Sequence, residues 1–248
     1  MGRSSHPPHY QRCSVSIKAD GTEVTEADRA AETVIRDLLA QHYPRHAILG
    51  EEFGGSATDD PDLWVIDPID GTTWFSLGMP VFGTLIAYLK EQEPVVGVIH
   101  FPALGETVYA AKGLGCWFQP RTGAPVRVRV SDAVRLRDAA ISASGIHRSD
   151  FLREEPGRPY HLSGVQRQAR KFRFCGDCLQ HALVCRGNLH AAIDTVMQPW
   201  DIAALVPCVE EAGGVATSLS GQRHGILFGG SLLTSCDRSL HDELLGTL

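Results

Sequence analysis

Trp64-Val65-Ile66-Asp67-Pro68-Ile69-Asp70-Gly71-Thr72-Thr73 runs from apolar residues into two aspartates three apart, then a glycine and two hydroxyls. Residues 63–66 have the β-branched and aromatic make-up of a short buried strand. Pro68 has no N–H to give to a sheet, so the strand is expected to stop near Asp67 and leave both carboxylates on a turn. Carboxylates and unpaired carbonyls at such a turn are hard oxygen ligands, which suit Mg²⁺ better than zinc. Gly71 lets the backbone approach a ligand closely, and a helix or turn beginning at Thr72 would aim its free N–H groups at an anion. Asp-Pro and Asp-Gly are also ordinary turn dipeptides, and on those pairs alone a plain surface turn is the simpler reading.

The sequence on either side favours the site. Ala47-Ile48-Leu49 reads as another short strand that delivers Gly50-Glu51-Glu52-Phe53-Gly54 into a glycine-flanked loop, making Glu51 a third hard ligand. Far downstream, Gln198-Pro199-Trp200-Asp201 precedes Ile202, Ala203, Leu205, Val206 and Val209, apolar positions of helical spacing that close at Gly213-Gly214. Asp201 stands at that helix's start, where an N-cap is the ordinary role of an aspartate. Pro207 should kink the helix or shift its start. Near the beginning, Thr25-Glu26-Ala27-Asp28 has capping-box spacing ahead of Ala30, Ala31, Val34, Ile35, Leu38 and Leu39, an amphipathic helical pattern. On the residues alone, Asp28 is a cap.

Taken in order, GEEFG, WVIDPIDGT, PWDIAA and EEAGG, together with Lys18-Ala19-Asp20-Gly21 and Ser235-Cys236-Asp237, resemble the inositol monophosphatase family over nearly the whole chain. The resemblance implies an α+β fold, the layered α-β-α-β-α sandwich shared with fructose-1,6-bisphosphatase, and Li⁺-sensitive, Mg²⁺-dependent hydrolysis of phosphomonoesters. It implies two or three Mg²⁺ per site, with Mn²⁺ as a substitute. Glu51, Asp67 and the carbonyl of Ile69 resemble the ligands of the first cation, and Asp67, Asp70 and Asp201 those of the second. Asp28 and Thr72 resemble the pair that orients the attacking water, with Glu51 beside them, and the N–H groups of Gly71 and Thr72 resemble the phosphate site. Asp177 and Asp194, with Asp201, fall where the family contacts its substrate, although Asp194 stands where family members commonly place a glutamate. The runs Pro80 to Ala87, Gly176-Asp177-Cys178 and Gln198 to Asp201 look closest to the histidinol-phosphate phosphatase branch. Inositol-1-phosphate is the alternative substrate, then a cyclitol or sugar phosphate. A non-catalytic metal-binding regulator is the alternative of a different class, and dimerisation is the family's habit.

Composition agrees. A chain of 248 residues with 43% hydrophobic content can bury a sizeable core, and a formal net charge of -6 gives no basic footprint for nucleic acid. There is no run of eighteen apolar residues and no apolar signal core at the start, so a cytoplasmic protein without membrane contact is expected. Seven cysteines, an odd number without a regular framework, fit reduced thiols. Cys175-Gly176-Asp177-Cys178 has CxxC spacing, but no second ligand pair of finger spacing accompanies it. It reads instead as a turn between a basic strand at 171–174 and a helix from Leu179. The eleven histidines are scattered and read as surface or satisfied residues.

Residues 81–89 and 95–101 read as neighbouring strands joined by Lys90-Glu91-Gln92-Glu93, and 106–111 as another. Residues 1–14 form a polar, proline-containing start, expected to be disordered, that lacks the helix family members usually carry before the KADG-like segment. The stretch 121–129 is the expected seam between a metal-bearing half, 15–125, and a second half, 126–248, which supplies Asp201 and substrate contacts within one compact unit. Residues 148–159 read as an exposed charged loop.

Overall fold

The computed structural model describes residues 15–17, 23–55, 60–152 and 160–248. The polar start, with the first helix expected to be missing from it, the 18–21 segment and most of the charged loop at 148–159 lie outside the described residues.

Two short antiparallel strands, β1 (Val15–Ile17) and β2 (Glu23–Thr25), lead into α1 (Glu26–His42). β3 (Ala47–Gly50) and β4 (Asp62–Asp70) then pair in parallel. After α2 (Thr72–Ser76), the strands β5 (Gly83–Lys90), β6 (Glu93–Phe101), β7 (Glu106–Ala111), β8 (Gly115–Gln119) and β9 (Val126–Val128) continue as an antiparallel meander. Together β3 to β9 form one seven-stranded sheet, laid out in chain order. The β5–β6 hairpin closes through Glu91 and Gln92 at φ of 50° and 66°, the left-handed pair that matches the twist of the strands it joins.

β4 runs further than its sequence suggests. Pro68 lies within the strand rather than ending it, because the pairs Asp67↔Leu85 and Asp70↔Gly83 enclose one extra residue on β4. This bulge spares the ladder the donor that proline lacks, and the Pro68 carbonyl accepts from Thr84 Oγ1 at 2.9 Å. It also changes where side chains point. Residues three apart on a regular strand face opposite sides; with one extra residue between them, Asp67 and Asp70 converge.

The second sheet is built from β10 (Ala140–Ser144), β11 (Lys171–Arg173) after α3 (Leu162–Gln168), and β12 (Ala191–Asp194) after α4 (Asp177–Cys185). Then follow α5 (Pro199–Ala203), α6 (Leu205–Glu211), β13 (Val215–Thr217), β14 (Leu232–Ser235) and α7 (Arg238–Thr247). Its order is β11-β10-β12-β14-β13, with β10, β11 and β12 parallel and β14 antiparallel to both neighbours. The single helix expected after Asp201 is two helices meeting at Ala204. A proline ring at 207 collides with a helical carbonyl four residues earlier, so the chain restarts its helix at Leu205. α4 starts at Asp177, two residues earlier than expected. β9 pairs with β8, so the first sheet extends to Val128.

Five layers result: α1, the seven-stranded sheet, α4 to α6, the five-stranded sheet, and α3 with α7. The main core lies between the sheets, where Leu63, Val65, Leu85, Leu89 and Ile99 meet Ile202, Leu205, Val206 and Val209. A second core buries Ile141, Ile193 and Leu233 against Leu162, Leu240 and Leu244. Among the described residues no helix is long and apolar enough to cross a membrane. α1 is a further departure from its pattern. Val34 is 59% and Leu38 52% exposed, and the buried face carries Ala27, Asp28 and Glu32 instead.

The middle helical layer is pinned to the first sheet by Glu211, whose Oε1 and Oε2 accept from the N–H groups of Gly113 and Gly115, each at 2.7 Å. Two hydrogen bonds to one carboxylate hold the β7–β8 turn against the end of α6. Glu211→Ala is expected to lower unfolding stability by about 1–3 kcal/mol, read by urea denaturation at pH 7.

Candidate active site

Three carboxylates meet at the ends of their elements. One oxygen each from Asp67, Asp70 and Asp201 lie within 4.8 Å of one another. Asp67 and Asp70 come from the bulged end of β4 and are 2% and 7% exposed. Asp67 Oδ1 accepts from Ile69 N at 3.0 Å; Asp70 Oδ2 accepts from Cys178 N, in the first turn of α4, at 2.7 Å. Asp201 stands in the first turn of α5 but is not its N-cap. Gln198 is the cap, and Asp201 Oδ2 accepts from the Gln198 N–H at 2.7 Å to close a capping box. Glu51 follows β3 directly, its N–H donating to the Ile66 carbonyl at 3.2 Å, and its carboxyl is hydrogen-bonded to that of Asp67.

Burial pushes the Asp67 carboxyl well above the ordinary range, and the charges of Glu51, Asp70 and Asp201 push it further. Asp70 is raised by burial and by Asp177 and Asp201, against the opposing hydrogen bonds from Cys178. Asp201 is pushed up to about 7, chiefly by burial. Buried negative charge is costly unless paired, and the neighbours that raise these groups are other carboxylates. A set of converging hard oxygens with unsatisfied charge fits a divalent cation.

Beside this centre, Gly71 adopts φ 82°, a left-handed conformation that glycine takes without strain, and turns the chain from β4 into α2. Thr72 Oγ1 contacts the Ile69 carbonyl at 3.2 Å and Asp28 Oδ1 at 3.4 Å. Asp28 Oδ2 accepts from Thr25 N at 2.8 Å and Thr25 Oγ1 at 2.6 Å, completing the predicted capping box. One carboxylate therefore caps α1 and touches Thr72.

Asp177 also lies against Gly71, its Oδ2 2.8 Å from where a Cβ there would stand. Its backbone has φ 47°, a region unfavourable for a residue with a side chain, and its carboxylate accepts from Ser144 Oγ at 3.0 Å and from the Trp74 indole. Burial and nearby Asp194 raise it to about 6. Asp194, at the end of β12 and 3% exposed, is tied to α4: its Oδ2 accepts from His181 Nε2 at 2.7 Å and from Gln180 Nε2. His181 also meets Thr234 Oγ1 at 2.8 Å, so this buried histidine is satisfied.

Sequence reasoning did not single out Ser144, Trp74 or Glu32. Ser144 and Trp74 lie in other segments and reach Asp177 only through the tertiary fold. Glu32 had a visible signal: it falls four residues after Asp28, an acidic pair on one helical face.

Layers, bulge and acidic centre together define a phosphatase of one particular class. The chain belongs to the inositol monophosphatase family, whose sequence profile its residues 9–248 match. It is 39% identical over 234 residues to the histidinol-phosphatase of Mycobacterium tuberculosis, which covers 94% of this chain and 87% of that one. It is 34% identical to the inositol-1-monophosphatase of Caulobacter vibrioides, over 94% of this chain and 90% of that one. An IMPase structure from Thermotoga maritima superposes with a TM-score of 0.81 at 33% identity, covering 96% of this chain and 89% of that one. The protein is an enzyme, a phosphoric monoester hydrolase.

A carboxyl raised in the folded state keeps protons that the unfolded chain releases from about pH 4 upward, so its contribution to stability is lost as pH rises toward the folded value. With the cation chelated, the melting temperature is expected to fall between pH 5 and 7.5, and Asp201→Asn to remove part of that fall. A divalent cation held by these carboxylates would compete with the protons, so adding one is expected to raise the melting temperature more at pH 7.5 than at pH 5.

Proposed function

We propose that this enzyme is a Mg²⁺-dependent phosphatase that hydrolyses histidinol phosphate to histidinol and inorganic phosphate. The observation that carries the metal dependence is the convergence of Asp67, Asp70 and Asp201 within 4.8 Å, with burial and the charges of neighbouring carboxylates raising all three. Glu51, Asp67 and the Ile69 carbonyl would hold one cation, and Asp67, Asp70 and Asp201 another. When bound, Mg²⁺ supplies positive charge to the attacking and leaving oxygens of an in-line displacement. Asp28 holds the Thr72 hydroxyl in place, and the pair orients a water and accepts its proton as the oxygen attacks phosphorus. The N–H groups of Gly71 and Thr72 hold the phosphate oxygens, and the substrate alcohol leaves with a proton from solvent.

The substrate assignment rests on charge. Asp177 presents its carboxylate beside Gly71, next to the proposed phosphate position, with Asp194 close enough to raise it and Asp201 acting with it on Asp70. An acidic wall there suits the amine and imidazole of histidinol phosphate. Relatives named histidinol-phosphatase at 37–39% identity support the reading. Inositol-1-phosphate is the second candidate, because carboxylates also bind hydroxyls and relatives of 33–34% identity carry that activity in their names. A small-molecule phosphate in the cytoplasm is the expected setting, and Li⁺ the expected inhibitor.

With Mg²⁺ and a panel of phosphomonoesters, kcat/KM is expected to be highest for histidinol phosphate. A higher value for inositol-1-phosphate overturns the substrate assignment, as does the absence of turnover on histidinol phosphate. Asp70→Asn should lower turnover by more than about 100-fold with the fold intact by circular dichroism. Asp177→Asn is expected to raise KM for histidinol phosphate roughly tenfold or more, and that for inositol-1-phosphate much less. Asp28→Asn should leave the melting temperature nearly unchanged while activity is lost, which separates its cap from its role toward water.

A further inference from the structure

Glu32 is a fully buried carboxylate on α1 that takes no part in the acidic centre. Its Oε2 accepts from Glu52 N at 2.7 Å, and its Oε1 from Phe53 N at 3.4 Å and from Arg36 Nε at 2.7 Å. Arg36 Nη2 in turn donates to the Gly54 carbonyl. One turn of α1 thus grips residues 52, 53 and 54, the three that follow Glu51. The chain arriving at Glu51 is fitted to the same carboxylate. A Cβ on Gly50 would stand 1.9 Å from Glu32 Oε1 and 2.4 Å from its Cδ, so the Glu32 carboxylate fills the space where a side chain at 50 would lie.

A buried charge is kept where its partners are fixed in place, since leaving it unpaired is costly. Here the partners are the counter-charge of Arg36 and the backbone on either side of Glu51. Four residues earlier on the same face, Asp28 reaches Thr72. The buried face of α1 therefore supports both loops that bear on the centre: the one after β3 and the one after β4.

We infer that Glu32, with Arg36 as its counter-charge, is the positioning residue that holds Glu51 against Asp67 and thereby sets the cation affinity of the centre. This rests on the reading of that centre as a divalent-metal site. Glu32 acts through backbone alone. It binds no cation itself, and its loss acts on affinity more than on the chemical step once the site is filled.

The test uses Mn²⁺ as probe, with free ion counted by electron paramagnetic resonance in titrations of the wild type, Glu32→Gln, Gly50→Ala and Glu211→Ala. Glutamine keeps one carbonyl acceptor but loses the second acceptor and the charge that binds Arg36. Alanine at 50 leaves every donor and acceptor in place but displaces the carboxylate, and Gly50 lies outside the left-handed region. Both are expected to weaken Mn²⁺ binding about 10–100-fold, with kcat at saturating Mg²⁺ falling much less. Glu211→Ala, which loosens the fold far from the centre, should leave Mn²⁺ affinity unchanged; a loss there equal to the other two overturns the inference, since general destabilisation would then explain all three. If Glu32→Gln fails to fold, Gly50→Ala carries the test by the same criterion. Wild-type affinity in the folded variants overturns the positioning role while the metal reading stands, and a wild type that takes up no Mn²⁺ overturns both.

Discussion

Like charges forced together at the end of β4 are the constraint on which this molecule turns. At an effective dielectric of 20, two unit charges 4.8 Å apart repel by about 3 kcal/mol, and the separation of Asp67, Asp70 and Asp201 lies within that distance. A regular strand would have sent Asp67 and Asp70 to opposite faces of the sheet. The bulge around Pro68 brings them to one side, and everything adjacent then serves to hold what the bulge creates. α4 supplies the Cys178 N–H to Asp70, the Gln198 turn supplies an N–H to Asp201, and Ile69 returns one to Asp67. Each of these is a backbone donor, whose position is set by the fold rather than by a flexible side chain.

Much of this was legible in the chain. The apolar runs, the polar turn within Lys90-Glu91-Gln92-Glu93, the T-x-x-D cap and Glu51 at the start of its loop each carry their meaning within a few residues. Where reading failed at Pro68, the deciding partner was remote. Pro68 looked like a terminator because proline cannot donate to a ladder, but the extra residue that accommodates it is defined only by pairing with β5. Asp201 looked like a cap and is instead the third residue of its helix, because Gln198 took the cap position. The break at Ala204 was foreshadowed by Pro207, since that effect is local.

α1 shows the same limit in another form. Its sequence has a clear apolar stripe, and periodicity assigns that stripe to the core. The fold instead leaves Val34 and Leu38 open to solvent and buries Asp28 and Glu32. Hydrophobic burial alone does not explain that choice. Hydrogen bonds to Thr25, Thr72, Glu52 and Phe53 do, because they give both buried carboxylates a full set of partners. Of the four, Thr25 was visible from its capping-box spacing, as was the four-residue spacing of the two acids; Thr72, Glu52 and Phe53 became partners only through the tertiary arrangement.

Asp70 is bound to the first turn of α4, and Asp177 of that turn is held in part by Trp74 of α2. These crossings link a sheet completed early in the chain to helices that come much later. A chain made from its N-terminus therefore presents the first sheet, with Asp67 and Asp70 side by side, before the Cys178 N–H that Asp70 accepts has been added. The acidic edge of the first sheet is therefore completed only when α4 docks against it, so one hydrogen bond couples the two halves of the molecule.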